Sequence, residues 1–407
     1  MNVTSLSRQL TIPVAVVLLL TSCGDEGDSP GAAETSGAAT VDVGLPADEM
    51  SDTDATAVDD AVDAAGALSV SPGYWVGVYD PEKGYYEQAY GEAEAGGAPA
   101  AVDQVLRIGS ISKTFTATVV LQLVDEGELE LDQTVAEAGP EVAETFSEVA
   151  EVADVTLREL LTMRSGIQDY MNVPDATVAE TAANPDTVYD ADTLIRTGLD
   201  AGGASVGTYS TTNYLILQEI VEEVTGSSLQ DLIRSRITEP LGMSVAALPP
   251  NEDTTLPEPG THGYLNAGCV KELKGDGATG VSAGEDTTDW NVSYGQGGGG
   301  MHSTLRDLGI WALSGSGDAL LPDELVTERL TTEDLSNGLP YGLGIFQIGD
   351  WIGHEGEALG WEALSFYNPD TGVALAFGTN ACNGNFPVFL QVTDALYPDT
   401  GLADWIG

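Results

Sequence analysis

A serine and a lysine stand one helical turn apart in the segment Ser110-Ile111-Ser112-Lys113. If Ser110 opens a helix, residues i and i+3 lie on one face, so the lysine nitrogen can reach the serine hydroxyl. A serine hydroxyl is a poor nucleophile until a base removes its proton, and a desolvated lysine amine is such a base. A helix N-terminus also favours developing negative charge. The spacing therefore predicts that Ser110 is a nucleophile and Lys113 its base.

The same spacing is also typical of a plain helix start with a solvated lysine. Lysine is rare here, since the chain has 13 Lys and Arg residues against 65 acidic ones, and this scarcity favours the chemical interpretation. A rival motif, Gly280-Val281-Ser282-Ala283-Gly284, matches G-x-S-x-G. A nucleophile elbow needs a strand before it and a helix after it. The flanks of Ser282 are typical of a loop, so we do not expect it to be the nucleophile.

Segments that could position these residues follow a simple order along the chain. Residues 73–79 and 85–90 are predicted to form a hairpin, and a helix is expected over 110–126. A helical, loop-rich middle follows, and strands return at 342–348, 364–367 and 373–378. The predicted fold class is therefore α/β (α+β), an antiparallel sheet from both chain ends flanked by helices. Its domain, 69–407, comprises 69–128 and 292–407, with a mostly helical insertion over 129–291.

The first residues of the chain are typical of an export signal. Arg8 precedes an apolar run that is short for a membrane span, and Leu20-Thr21-Ser22-Cys23 resembles the cleavage site of bacterial lipoproteins. We expect 1–22 to be a signal peptide and Cys23 to carry a lipid anchor, which places the protein in the cell envelope outside the cytoplasm. Plain secretion is the alternative. Residues 23–68 are acidic and poor in large apolar side chains, so they are predicted to form a disordered linker.

The charge and the cysteines narrow the function classes. A formal net charge of -52 disfavours nucleic acid and anionic lipid headgroups as partners. Cys269 and Cys382 make an even pair in an exported chain, which favours a disulfide over two free thiols. No CxxC or HExxH occurs, and His262, His302 and His354 are scattered. We expect neither a metal site nor a cofactor, and we expect His262 and His302 to be structural or exposed.

Two further segments, later in the chain, contain motifs that accompany the serine and the lysine. Tyr209-Ser210-Thr211 precedes a predicted helix, and His354-Glu355-Gly356 lies between late strands. An SxxK motif, a Tyr-Ser-x motif and a (Lys or His)-x-Gly motif in this order resemble the serine β-lactamase and penicillin-binding superfamily. Within it, the chain is most similar to class C β-lactamases and low-molecular-weight D-alanyl-D-alanine carboxypeptidases. The resemblance covers roughly residues 70 to 400.

The resemblance implies a role for each motif residue. Ser110 would be the acylated nucleophile, and Lys113 and Tyr209 would share the general-base role, with the phenol pKa lowered by nearby cations. His354 would take the place of a cation that supports the tyrosine and attracts a substrate carboxylate. The backbone amides of Ser110 and Glu357 would form the oxyanion hole.

Two positions depart from the pattern of the superfamily. Thr211 stands where many relatives have an asparagine that holds the substrate amide and the lysine. Glu355 stands beside Gly356 where a threonine or serine often binds a substrate carboxylate. A glutamate there would repel a carboxylate, unless its side chain points to solvent and has little effect.

The sequence therefore predicts an exported serine hydrolase that acts through a Ser110 acyl-enzyme. The expected reaction is peptide or amide hydrolysis of the D-alanyl-D-alanine carboxypeptidase or β-lactamase type. The substrate would be a small molecule or peptide, namely a cell-wall peptide, a β-lactam or an ester. Two alternatives are an esterase of the same fold and a catalytically silent binding lipoprotein. The presence of Ser110, Lys113 and Tyr209 argues against the silent protein.

Overall fold

The computed structural model describes residues 40–66, 71–147, 150–275, 277–382 and 385–400. The predicted signal peptide 1–22 and the lipidation site Cys23 lie outside the described residues. Within those residues, no helix is both long enough and apolar enough to span a bilayer.

One antiparallel sheet of eight strands organises the described part of the chain. Its strand order is β2-β1-β10-β9-β8-β7-β6-β5, so the N-terminal hairpin pairs with a strand from near the C-terminus. A separate pair, β3 and β4, lies beside it. The strands are β1 Gly73–Asp80, β2 Gly84–Gly91, β3 Val105–Arg107, β4 His302–Thr304, β5 Glu333–Asp334, β6 Pro340–Tyr341, β7 Phe346–Ile348, β8 Trp351–Ala358, β9 Trp361–Asn368 and β10 Val373–Thr379. The predicted fold class is confirmed.

Helices flank this sheet, and most of them come from the segment between β3 and β4. The described helices are α1 Asp52–Ala64, α2 Ser112–Asp125, α3 Val135–Ala138, α4 Pro140–Thr145, α5 Ala150–Ala153, α6 Leu157–Leu161, α7 Thr177–Ala183, α8 Ala191–Asp200, α9 Thr212–Thr225, α10 Leu229–Ile233, α11 Glu239–Leu241, α12 Ala267–Gly275, α13 Gln296–Gly299, α14 Leu305–Leu313, α15 Asp323–Arg329 and α16 Asn385–Leu396. The helical insertion expected over 129–291 corresponds to the segment from α3 to α12.

Helix α2 is buried on nearly all sides rather than along one apolar stripe. Phe115 stacks on Trp311 with ring centroids 3.8 Å apart. The hydroxyls of its threonines are satisfied internally: Thr116 donates to the Gly297 carbonyl and Thr118 to the Thr114 carbonyl. A helix enclosed in this way holds its first turn in a fixed position, because packed interiors deform little.

The linker prediction is wrong for the described part of 23–68. Residues 52–64 form α1, whose first turn is capped by the Ser51 hydroxyl. Val58 and Val62, four residues apart, are buried on one helix face. The hydroxyls of Tyr86 and Tyr90 in β2 donate to the Asp59 carboxylate. An acidic average composition conceals this short apolar stripe, so composition alone predicted disorder.

A disulfide joins Cys269 in α12 to Cys382, just beyond β10, with their Cα atoms 6.1 Å apart. This is the pairing that the sequence favours. It ties the helical insertion to the end of the central sheet.

Candidate active site

The nucleophile candidate lies in a 3-10 turn, Gly109–Ile111, that leads directly into α2. Gly109 has φ +48°, and a Cβ atom there would lie 2.4 Å from the backbone nitrogen of Glu357. A Cβ atom on Gly356 would lie 1.9 Å from the Ile108 carbonyl oxygen and 2.7 Å from the Ser110 nitrogen. Both contacts need glycine. The turn and β8 therefore meet backbone to backbone, which brings the amides of Ser110 and Glu357 to one place.

Lys113 is fully buried and faces the serine. Its Nζ atom lies 3.0 Å from Ser110 Oγ and 2.6 Å from the carbonyl oxygen of Gly298. Burial lowers the pKa of Lys113 to about 7, and the nearby Asp169 carboxylate opposes this shift. At neutral pH a large fraction of the amine is unprotonated and able to accept the Ser110 proton.

The partner of this lysine, Gly298, belongs to a run of four glycines, Gly297 to Gly300. The structure folds it into α13, Gln296–Gly299. A Cβ atom on Gly298 would lie 2.6 Å from Thr211 Cγ2, so the close approach needs glycine. Sequence reasoning missed the Gly298 carbonyl as the hydrogen-bond acceptor of Lys113. The four consecutive glycines could have indicated a close backbone contact at this position.

Tyr209 lies beside the lysine, with Lys113 Nζ 4.9 Å from its ring centroid. Its hydroxyl is buried and has no regular hydrogen-bond partner among the described residues. Burial raises the pKa of Tyr209 well above its usual value, although the Ser110 hydroxyl acts in the opposite direction. The expected lowering of the phenol pKa is therefore wrong, because burial disfavours the phenolate and the nearby Asp169 and Glu355 charges act in the same direction. Tyr209 stays protonated and can donate.

His354, from β8, completes the cluster as a neutral side chain. It is buried, its Nε2 lies 3.1 Å from the Tyr341 hydroxyl, and its Nδ1 contacts the Glu355 carbonyl. Phe346 packs on the imidazole with ring centroids 4.7 Å apart. Burial lowers the pKa of His354 to about 3. The expectation of a cation that attracts a substrate carboxylate is wrong, because this apolar enclosure disfavours the imidazolium.

Thr211 does not contact Lys113 through its hydroxyl. That hydroxyl donates to Asp169 Oδ2 at 3.2 Å. Asp169 is buried, which raises the pKa of its carboxyl group, and its charge acts on Lys113. Sequence reasoning missed Asp169, which directly precedes the 3-10 turn Tyr170–Asn172. Thr211 therefore acts on the lysine through Asp169.

Glu355 and Glu357 alternate along β8 and lie on the same face of the strand. Both side chains are exposed, as expected if Glu355 points to solvent, and each also lines a cavity. The protein atoms around each carboxyl group, together with the Glu362 charge, raise the pKa of Glu355 to about 7 and that of Glu357 to about 8. Glu355 also raises the pKa of Tyr209, which places its carboxylate near the site. Among the described residues, no Lys, Arg or His pairs with either glutamate within 4.0 Å.

The remaining candidates lie elsewhere. Ser282 is exposed in a loop without the strand and helix that an elbow requires. His262 is exposed and pairs with Asp286 at 2.8 Å, whereas His302 is buried in β4, where burial lowers its pKa to about 4.

One group in the described part of the chain brings three residues of metal-ligating types together. Atoms of Cys269, Cys382 and Glu357 lie within 4.8 Å of one another. The two sulfurs are bonded to each other, so they are not available as thiolate ligands.

Comparisons with known proteins agree with this geometry. Penicillin-binding protein 4 of Amycolatopsis lactamdurans is 37% identical over 174 residues, 42% of this chain and 42% of that protein. A D-aminopeptidase of Brucella anthropi is 30% identical over 314 residues, 74% of this chain and 54% of that protein. The chain thus spans about half the length of these curated relatives.

A solved structure of a D-stereospecific amidohydrolase from Streptomyces sp. aligns with a TM-score of 0.70 and 26% identity. The alignment covers 84% of this chain and 98% of that one. The family model described as Beta-lactamase matches residues 58–393, which include the nucleophile turn, Tyr209 and β8. The chain therefore belongs to the beta-lactamase family and has the fold of β-lactamases and penicillin-binding proteins.

Proposed function

We propose that this protein hydrolyses amides or short peptides of D-amino acids through an acyl-enzyme on Ser110. The observation that carries the proposal is the desolvated Lys113 amine 3.0 Å from the serine hydroxyl. The names of the D-aminopeptidase and D-stereospecific amidohydrolase relatives support the substrate class.

Acylation follows from the positions of these groups. The neutral Lys113 amine takes the Ser110 proton as Oγ attacks the substrate carbonyl carbon. The carbonyl oxygen becomes an oxyanion, stabilised by the amides of Ser110 and Glu357. The carbon–nitrogen bond then breaks, and the leaving amine receives a proton from Tyr209, which regains one from the Lys113 ammonium.

Deacylation uses the same groups in reverse. The Lys113 amine, neutral again after acylation, takes a proton from water, and the hydroxide formed attacks the ester carbonyl. The tetrahedral intermediate collapses with cleavage of the bond to Ser110 Oγ, which recovers its proton. The products are a free acid and the resting enzyme.

A carboxypeptidase or β-lactamase reaction is the second candidate, and the penicillin-binding relative supports it. Substrates of that type present a carboxylate near the third motif. Here that motif supplies a neutral His354 and an acidic Glu355, so a carboxylate would meet repulsion rather than a cation. An esterase would not need such a cation, and it remains the alternative within the same fold.

The experiment compares p-nitroanilides of D- and L-amino acids, an acyl-D-Ala-D-Ala peptide, a chromogenic cephalosporin and a p-nitrophenyl ester. We expect the D-amino-acid anilides to have the highest kcat/KM. Ser110→Ala should abolish turnover and labelling by a fluorophosphonate, whereas Ser282→Ala should leave both unchanged. Faster release of D-Ala from the peptide would favour the carboxypeptidase. Absence of both labelling and turnover would refute the hydrolase.

We also propose that the protein is exported and lipid-anchored at Cys23. The support is the Leu20-Thr21-Ser22-Cys23 sequence after an apolar run. Cells fed radioactive palmitate should label the wild-type protein but not Cys23→Ala. Labelling of both, or of neither, would refute the anchor.

A further inference from the structure

A cavity of about 500 Å³ lies directly beside Glu355. Its apolar wall comprises Leu339, Phe346, Ile348 and Phe386, and Asn337 and Gly338 complete the lining. Phe346 and Ile348 come from β7, whereas Phe386 comes from α16. The lining thus combines four apolar side chains with a single acidic side chain.

Backbone contacts tie this cavity to the catalytic cluster. The amide of Ser336, at the start of the loop that lines the cavity, donates to the Gly207 carbonyl at 2.9 Å. Gly207 lies two residues before Tyr209, and the Glu355 carboxylate acts on the Tyr209 phenol. Glu355 also lies two residues before Glu357, about 7 Å along an extended strand. These contacts place the cavity beside the segment that carries Tyr209 and the strand that carries Glu357.

The charge at this position lacks a balancing group. Glu355 is exposed at the wall of the cavity, and no cationic side chain of the described residues pairs with it within 4.0 Å. A carboxylate in the wall of a cavity is stabilised by an opposite charge brought close to it. Among the groups of an amino-acid amide, only the free α-ammonium supplies that charge, and it lies two bonds from the carbonyl carbon.

We propose that Glu355 binds the α-ammonium of the substrate and that the adjacent cavity holds a large apolar side chain of the same residue. This assignment rests on the proposed function and makes it specific: the preferred substrate is an amide or peptide with an unblocked, apolar D-residue at its N-terminus. Neutral His354 complements the assignment, because it presents no positive charge to compete with the ammonium.

The pairing of Glu355 with the substrate ammonium is tested by comparing D-Leu p-nitroanilide, which has a free amine, with its N-acetyl derivative, which has none. A charge-assisted hydrogen bond contributes enough that its loss should raise KM for the free amine about 10- to 100-fold in Glu355→Gln. The kcat value should change less, and the N-acetyl substrate should be unaffected. The matched control Glu82→Gln lies in the turn between β1 and β2, away from the site, and should behave as wild type.

The cavity is tested with Leu339→Trp, which fills it from the loop. This variant should lower kcat/KM for D-Leu and D-Phe anilides at least tenfold more than for the D-Ala anilide. Fluorophosphonate labelling of Ser110 and thermal unfolding show whether each variant is folded and active as a nucleophile.

The possible failures are distinguishable. If wild type labels with the fluorophosphonate but hydrolyses no D-anilide, the proposed substrate class is wrong. If it hydrolyses D-anilides and Glu355→Gln keeps the full preference for the free amine, the ammonium assignment is wrong. If Leu339→Trp lowers kcat/KM equally for the D-Leu, D-Phe and D-Ala anilides, the cavity assignment is wrong.

Discussion

Gly356 and Ser110 meet with no space for a side chain between them: a Cβ atom at position 356 would lie 2.7 Å from the Ser110 nitrogen. This contact sets the separation between the nucleophile turn and the strand that supplies the second amide of the proposed oxyanion hole. The hole is therefore built from backbone that sequence-distant segments press together.

Gly356→Ala should therefore impair chemistry. The added methyl group must displace β8 or the turn, since it would also lie 1.9 Å from the Ile108 carbonyl. Loss of one oxyanion donor costs about 10²- to 10³-fold in kcat, and we expect a decrease of that order in steady-state kinetics. Gly275→Ala is the control, because no atom lies within 4 Å of its added Cβ. Equal kcat values for the two variants would contradict this role.

The pH profile of kcat/KM should report Lys113. The amine acts as a base only when neutral, so activity should rise with pH and level off above a pKa near 7. Tyr209 and His354 titrate outside this range, whereas Glu355 and Glu357 titrate within it. The double variant Glu355→Gln/Glu357→Gln should therefore keep the rise of kcat/KM near pH 7. If the rise disappears in that variant, the titrating group is a glutamate and not Lys113.

Stability should also depend on Lys113. The pKa of Lys113 is 10.5 in an unfolded chain and about 7 in the folded protein. Between these pH values the unfolded chain therefore binds more protons than the folded protein. The contribution of Lys113 to the free energy of unfolding therefore rises with pH across this window, by about 1.4 kcal/mol per pH unit. In Lys113→Met this contribution is absent.

Urea unfolding of wild type and Lys113→Met at pH 7 and 9.5 measures the effect. The stability of the variant relative to wild type should decrease by about 3 kcal/mol between these pH values. Loss of the hydrogen bond to Gly298 lowers the stability of the variant by the same amount at both pH values. Lys271→Met, on the exposed face of α12, should show no such change. A pH-independent difference for Lys113→Met would mean that the lysine keeps its ordinary pKa.

Arg329 and Asp318 form an ion pair behind α2, with Nη1 3.2 Å from Oδ1. Arg329 is fully buried and also donates to Thr118 and to the Thr114 carbonyl. Arg329→Met leaves Asp318 without its partner, which typically costs about 3–5 kcal/mol. Thermal or urea unfolding should show this loss. Asp132→Asn, which breaks the exposed pair with Arg158, should cost less than about 1 kcal/mol. Similar losses of stability in Arg329→Met and Asp132→Asn would contradict the greater importance of the buried pair.

Local order and spacing along the chain were enough to predict part of this molecule. The i, i+3 relation of Ser110 and Lys113 holds as soon as a helical turn forms, and the order of strands, helical segment and strands predicted one antiparallel sheet from both chain ends. The order of the three motifs indicated the family. Residues 52–64 show the limit of this reasoning, because an acidic composition concealed two valines that pack once a surface is available.

The protonation states of the site residues and their partners depend on the packing of distant segments. Tyr209 is a proton donor and His354 is neutral because their pKa values depend on burial, and burial depends on segments far apart in sequence. For the same reason, the Gly298 carbonyl and the Asp169 carboxylate become neighbours of Lys113 only when α13 and the loop before Tyr170 pack against α2. Spacing predicts which side chains share a helix face, whereas desolvation is a property of the whole fold.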